Sequence, residues 1–181
     1  YPSEKNEVVS TSMKGGAHSN SNSNSSKSKL YIDPKELTGI QGLKRIMNYV
    51  DTKTPAVKGQ FEYKKDTIEN YGKIFSQELI GNFSSKMKTI LDNIYNPETN
   101  KIGEGIVLIY SNYIDGGLIP MALALEELGF TRYGQNVKPL FKNPPTPVVD
   151  VRTMKAPTDK KNFMPARYSI ITGDPKIGRA H

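Results

Sequence analysis

One block of this chain limits its architecture more than any other: GIVLIYSNYIDGGLIPMALALEELGF, residues 105–130. Ile106 to Tyr110 is an uninterrupted apolar run, rich in β-branched residues and bounded by Gly105 and Ser111. Such runs suit a strand covered on both faces of a parallel sheet. The residues that follow place Leu118, Met121, Ala122, Leu125 and Leu128 on one side of a helix, with Glu126 and Glu127 on the other, a solvated face. Gly129 stands where a left-handed C-cap belongs. Strand, short polar loop and helix predict the first part of a βαβ unit. Its returning strand is expected at ARYSIIT, residues 166–172, closed by Gly173. The Pro-rich stretch between them, 131–165, is long for such a connection and predicts an insertion on the surface.

Upstream of this block the chain changes character twice. Residues 13–29, MKGGAHSNSNSNSSKSK, cannot bury apolar surface, which predicts a disordered linker or insertion over 1–29. A helical lead-in over 30–96 follows. Asp33 is a candidate N-cap with Pro34 at the first helical position, and Ile40, Leu43, Met47 and Val50 recur at helical spacing. A short strand is expected at Phe61–Tyr63, and helix again from Asp66. Ser84 or Ser85 can cap a helix whose Met87, Ile90, Leu91 and Ile94 form one apolar stripe. Residues 96–105 read as a loop from their Asn, Pro and Gly content. Tyr31, Tyr49, Tyr63, Tyr71 and Tyr95 are spread as half-buried packing residues rather than as a stacking platform. The tail IGRAH, 177–181, resembles a translated sequencing adapter, so natural sequence is expected to continue past Asp174 or Pro175. Together with a first residue other than Met, this predicts a fragment.

Composition narrows the chemistry. Hydrophobic residues are 36% of the chain, low for a compact domain, so part of its length is expected outside a core. No cysteine is present, which excludes disulfides, thiolate metal sites and a cysteine nucleophile. His18 lies in the polar tract and His181 at the terminus, neither placed as a ligand or general base. A net charge of +7 fits a phosphate-backbone partner, and fits a ribosomal or membrane-surface protein equally well. With no apolar run approaching the ~18 residues of a membrane span, the expectation is an intracellular, soluble protein without a membrane partner.

No G-x-x-x-x-G-K-[ST] loop occurs, and no Asp-Glu pair follows a strand as a Mg²⁺ site requires. The Lys14–Gly16 triplet lacks the strand–turn–helix setting of a phosphate loop. The candidate site is therefore the loop YSNYIDGG, 110–117. At the carboxyl end of a parallel strand and the start of a helix, its N–H groups would favour an anion. Ser111 and Asn112 would add donors, and Tyr113 could stack or hydrogen-bond. The simpler alternative stays open: Ser111 or Asp115 caps the helix, and Gly116–Gly117 permit the turn. Lys86 could touch a phosphate or simply sit on a solvated face. Asp174 reads as a cap or turn residue.

In order, SSKMKTILDNI, a loop, GIVLIYSNYIDGGLIPMALALEELGF and ARYSIITGD resemble the opening of the C-terminal lobe of superfamily 2 helicases. There a Ser-x-Lys helix precedes the motif IV strand, here IVLIYS, and a later strand ends in Gly, here YSIITG. The likeness spans roughly 35–174 and is nearest to the helicase and early-transcription-factor ATPases of nucleocytoplasmic large DNA viruses, whose preceding segment is similar to YGKIFSQELIGNFSSKM. It implies an α/β fold: a partial RecA-like parallel sheet flanked by helices, beginning within 97–176. It implies that Ser111 and Asn112 face a DNA or RNA backbone and that Gly173 closes the returning strand at the same surface; Tyr113 and Lys86 stay candidate contacts on their residue type alone. It further implies a first lobe in the same chain carrying the phosphate loop and Asp-Glu box for ATP and Mg²⁺, and a downstream Gln-x-x-Gly-Arg-x-x-Arg element. The host cytoplasm or the virion would be its location. A 131–165 stretch longer than in most relatives, and the 13–29 tract, depart from that pattern. Two functions are carried forward: part of an ATP-driven translocase without catalytic residues of its own, and a non-catalytic anion- or nucleic-acid-binding module on a Rossmann-like scaffold.

Overall fold

The computed structural model describes residues 39–54, 57–159 and 161–172. The 1–29 tract, Tyr31, the Asp33–Pro34 cap, Gly173, Asp174 and the 177–181 tail lie outside the described residues.

Helix α1 (Gly39–Ile46) buries Leu43 and Ile46 and runs directly into strand β1 (Met47–Val50). The predicted helical stripe from Ile40 to Val50 is therefore cut short. Met47–Val50 pair antiparallel with β2 (Gly59–Tyr63), Met47 facing Tyr63 and Asn48 facing Glu62. The switch has a packing cause: Tyr49 stacks on the fully buried Phe61 with ring centroids 4.4 Å apart, a cross-strand contact that a helix would forfeit. The short strand expected at Phe61–Tyr63 lies within β2. Helix α2 (Lys65–Tyr71) is tied back to α1 by Thr67 Oγ1, which donates to the Ile46 carbonyl at 3.0 Å. Helix α3 (Ser85–Ile94) begins where the sequence places it. The Ser84 hydroxyl accepts a hydrogen bond from the Met87 N–H, and Leu91 and Ile94 point into the core. A two-residue antiparallel ladder, β3 (Tyr95–Asn96) with β4 (Lys101–Ile102), pins the ends of the loop that follows.

Helix α4 (Ile119–Glu127) is the centre of the molecule, with all nine residues buried. The solvated face predicted at Glu126 and Glu127 does not exist; both carboxylates are held inside by donors from other segments. The helix ends in the expected way. Gly129 takes a φ of +94° and its N–H bonds to Glu126 O, while the Phe130 N–H reaches Leu125 O at 2.9 Å. That reciprocal pair is the Schellman arrangement.

Strand β5 (Thr131–Arg132) pairs parallel with β6 (Arg167–Tyr168), Thr131 facing Arg167. Here the sequence expectation needs its main correction. Residues 106–110 are not a buried strand: they belong to no sheet, and Ile106 and Leu108 are 101% and 89% exposed. Only Ile109 of the run packs against the core. The parallel partner of β6 is β5, which follows α4 rather than preceding it, and an apolar run without a backbone partner has no ladder to join. The described residues thus form a mixed α/β arrangement of four α-helices and three two-stranded sheets, one of them parallel, with no RecA-like parallel sheet among them.

The 131–165 stretch is likewise no surface excursion. Leu140, Phe141, Val149 and Met154 are buried, and Phe61 N–H bonds to Leu140 O while Lys142 N–H bonds to Phe61 O. Leu140 and Phe141 join the main core around α4, whereas Val149, Met154 and Ala166 form a smaller cluster with Tyr95, Ile102, Leu128 and Phe130.

Candidate nucleic-acid interface

The loop 110–117 is mounted on a widened turn. Ile114–Leu118 form a π-helical turn leading into α4, with Leu118 N–H bonded to Tyr113 O at 3.0 Å. Single π turns of this kind recur at functional sites. Gly116 and Gly39 approach backbone to backbone, where an added Cβ would sit 3.3 Å from Gly39 Cα. At Gly117 a Cβ would overlap the Ser111 hydroxyl. That hydroxyl is committed to the turn: it accepts from Tyr113 N–H and donates to Tyr113 O, both at 3.1 Å. Ser111 thus closes its own turn, and no side chain caps the helix start.

Asp115 does not cap the helix. It ion-pairs with Lys58, whose side chain is only 4% exposed. Lys58 also lies 3.8 Å from Asp51, which Lys44 contacts at 2.8 Å. The Lys44 hydrogen bond, outweighing partial desolvation, holds the Asp51 carboxyl below the usual range. Burial, and then the charges of Asp51 and Asp115, push the nearby Tyr49 hydroxyl up to about 12; its oxygen is buried without a hydrogen-bond partner among the described residues. Nothing in the polar 52–66 segment distinguishes Lys58 as the residue that anchors a loop 57 positions away, because the pairing is purely tertiary.

What the anchored loop presents is aromatic and amide surface. Tyr110 and Tyr113 are 83% and 74% exposed, and Asn112 is exposed between them. The Tyr110 hydroxyl donates to Asn112 Oδ1, so the amide N–H groups of Asn112 are the donors it can offer outward. Lys86 is exposed in the first turn of α3, and no hydrogen bond or ion pair joins it to the loop. Ser111, Asn112 and Tyr113 are brought together; Lys86 is a separate feature, and Gly173 lies outside the described residues.

The second polar centre is internal. Glu126, 1% exposed, accepts from the N–H groups of Leu140 and Phe141 at 2.7 and 2.9 Å and from the Tyr168 hydroxyl at 2.6 Å. Burial raises its pKa despite those three donors and the nearby Arg132. Glu127 accepts from the Tyr63 hydroxyl at 2.8 Å, and burial raises its pKa too. Glu126, with three donors on its two oxygens, is suited to holding the fold rather than to moving protons. Among the described residues no group of three or more His, Asp or Glu side chains could hold a metal ion, and the sequence has no phosphate loop. No described helix is long and apolar enough to cross a membrane.

No protein-family model, curated protein or solved structure matches the chain.

Proposed function

We propose that this chain contacts the backbone of DNA or RNA through the 110–117 loop, as the opening of the second lobe of an ATP-driven superfamily 2 translocase. The observation that carries the contact is the presentation of Tyr110, Asn112 and Tyr113: exposed, close in sequence, and on a loop anchored by the ion pair of Asp115 with the buried Lys58. A net charge of +7 supports a polyanionic partner. The translocase part rests on the resemblance of 105–130 and its flanking elements to the viral helicase and early-transcription-factor ATPases. In that reading the first lobe of the same protein would bind ATP and Mg²⁺, and the site of action would be the host cytoplasm or the virion. The second reading, a non-catalytic nucleic-acid-binding module, is favoured by one finding: residues 106–110 stand outside any sheet, where a motif IV strand would be central.

Fluorescence anisotropy of a labelled oligonucleotide at several salt concentrations tests the contact. The chain is expected to bind weakly and without sequence preference, with affinity falling linearly on a logarithmic salt scale. Asn112→Ala with Tyr113→Ala is expected to weaken that binding several-fold. A salt curve identical to that of the unmutated chain would remove the loop from the interface. The two readings part on the adjoining gene sequence: the translocase requires a phosphate loop and Asp-Glu box upstream and the Arg-rich element downstream.

A further inference from the structure

The positive charge of this chain is concentrated in one stretch. Residues 128–172 carry eight Lys or Arg against two Asp, while the rest of the sequence is close to neutral. One of those two acids, Asp150, is already matched by Arg152 at 2.8 Å. Within this basic stretch, at the carboxyl ends of the parallel strands β5 and β6, stands an aromatic ring in the open. Tyr133 is 61% exposed. Its backbone is fixed from both sides: its N–H donates to Tyr168 O at 2.8 Å, and its carbonyl accepts from the Ser169 hydroxyl at 3.3 Å. The guanidinium of Arg167 lies 5.1 Å from the ring centroid. Among the described residues Arg167 has no carboxylate partner, whereas the neighbouring Arg132 is half-buried and acts on Glu126 and Tyr168 inside.

We infer that Tyr133 and Arg167 form a stacking platform for an unpaired base of single-stranded nucleic acid, with Arg167 reaching the adjoining phosphate. An exposed ring with a planar cation over one face can meet both parts of a nucleotide, the base on its other face and the phosphate at the guanidinium. Every base offers a π face, and the guanidinium matches a phosphate through paired N–H donors. Duplex would not fit, since its bases are stacked on one another; an acidic peptide would satisfy the charge and leave the ring unused. The inference rests on the nucleic-acid reading above but uses none of its loop residues.

Its test compares two probes on the full chain, an oligothymidylate and an abasic sugar-phosphate oligomer of equal length, by anisotropy at low salt. Tyr133→Ala is expected to weaken oligothymidylate binding about fivefold or more and to leave the abasic oligomer unaffected, while Tyr133→Phe retains binding. Arg167→Ala is expected to weaken both probes and to lower the salt slope by about 1. Equal losses on both probes with Tyr133→Ala, or no loss on either, would overturn the platform. Should Asn112→Ala with Tyr113→Ala weaken oligothymidylate binding while Tyr133→Ala does not, the platform fails and the proposed loop contact stands. If the unmutated chain binds neither probe at low salt, both fall together.

Discussion

At the scale of single residues, the side chains that organise this molecule are charged ones turned inward. Glu126 takes N–H bonds from Leu140 and Phe141 and the hydroxyl of Tyr168, so one carboxylate ties α4 to the Pro-rich stretch and to β6. Glu126→Gln turns an acceptor oxygen into a donor facing N–H groups, and is expected to cost about 2–3 kcal/mol, read from the urea midpoint at constant slope. The pH response has a definite sign. With the Glu126 and Glu127 pKa values raised above the ordinary 4.5, the folded chain keeps protons that the unfolded chain has lost. Stability from these groups is present below 4.5 and declines as pH rises through their raised values. Unfolding followed upward from pH 4.5 should show that decline, and Glu126→Gln should flatten it. Lys58 and Asp115 form the other inward pair. Asp115→Asn leaves a buried ammonium with only Asp51 and is expected to cost about 1–3 kcal/mol. Lys58→Met added to it should recover part of that loss in a double-mutant cycle; strictly additive losses would mean that the pair does not couple. Neither role was legible in the sequence. A Glu in a helix or a Lys in a polar loop reads as solvated unless its partners are known, and these partners lie 14 to 57 positions away.

Elements were legible where their causes are local. The Ser84 cap, the apolar stripe of α3 and the Gly129 stop each depend on residues within about two turns, and each stands where the sequence puts it. Strand pairing depends on a distant partner, and there the reading held for Phe61–Tyr63, which lies in β2, and failed for Met47–Val50 and Ile106–Tyr110. Met47–Val50 became strand because Phe61 offers a stacking partner, whereas Ile106–Tyr110 found no backbone partner in any sheet and β6 pairs with β5. The difference is measurable. Ile106→Ala with Leu108→Ala is expected to leave the unfolding midpoint within about 0.5 kcal/mol of the parent, as for exposed positions. Losses of about 2–5 kcal/mol per site, the range for buried aliphatic truncation, would show that the run is a buried strand after all.

For the whole molecule, the Pro-rich stretch is what turns separate pieces into a unit. It supplies Leu140 and Phe141 to the main core and Val149 and Met154 to the smaller one, and it also carries most of the basic balance. The candidate site was half legible: the composition of 110–117 pointed to exposed donors and aromatics, but the engagement of Ser111 within its own turn and the anchor at Lys58 required three-dimensional contacts. Nucleic-acid contact is the claim on which the functional account turns, and amide chemical shifts of the ¹⁵N-labelled chain titrated with oligothymidylate test it residue by residue. The expected result is a set of salt-sensitive shifts at 110–117, with a second set at 133 and 167–169, while α2 stays unmoved. No shift in 110–117 at saturating oligonucleotide, or shifts confined to α2 and the β3–β4 ladder, would contradict it.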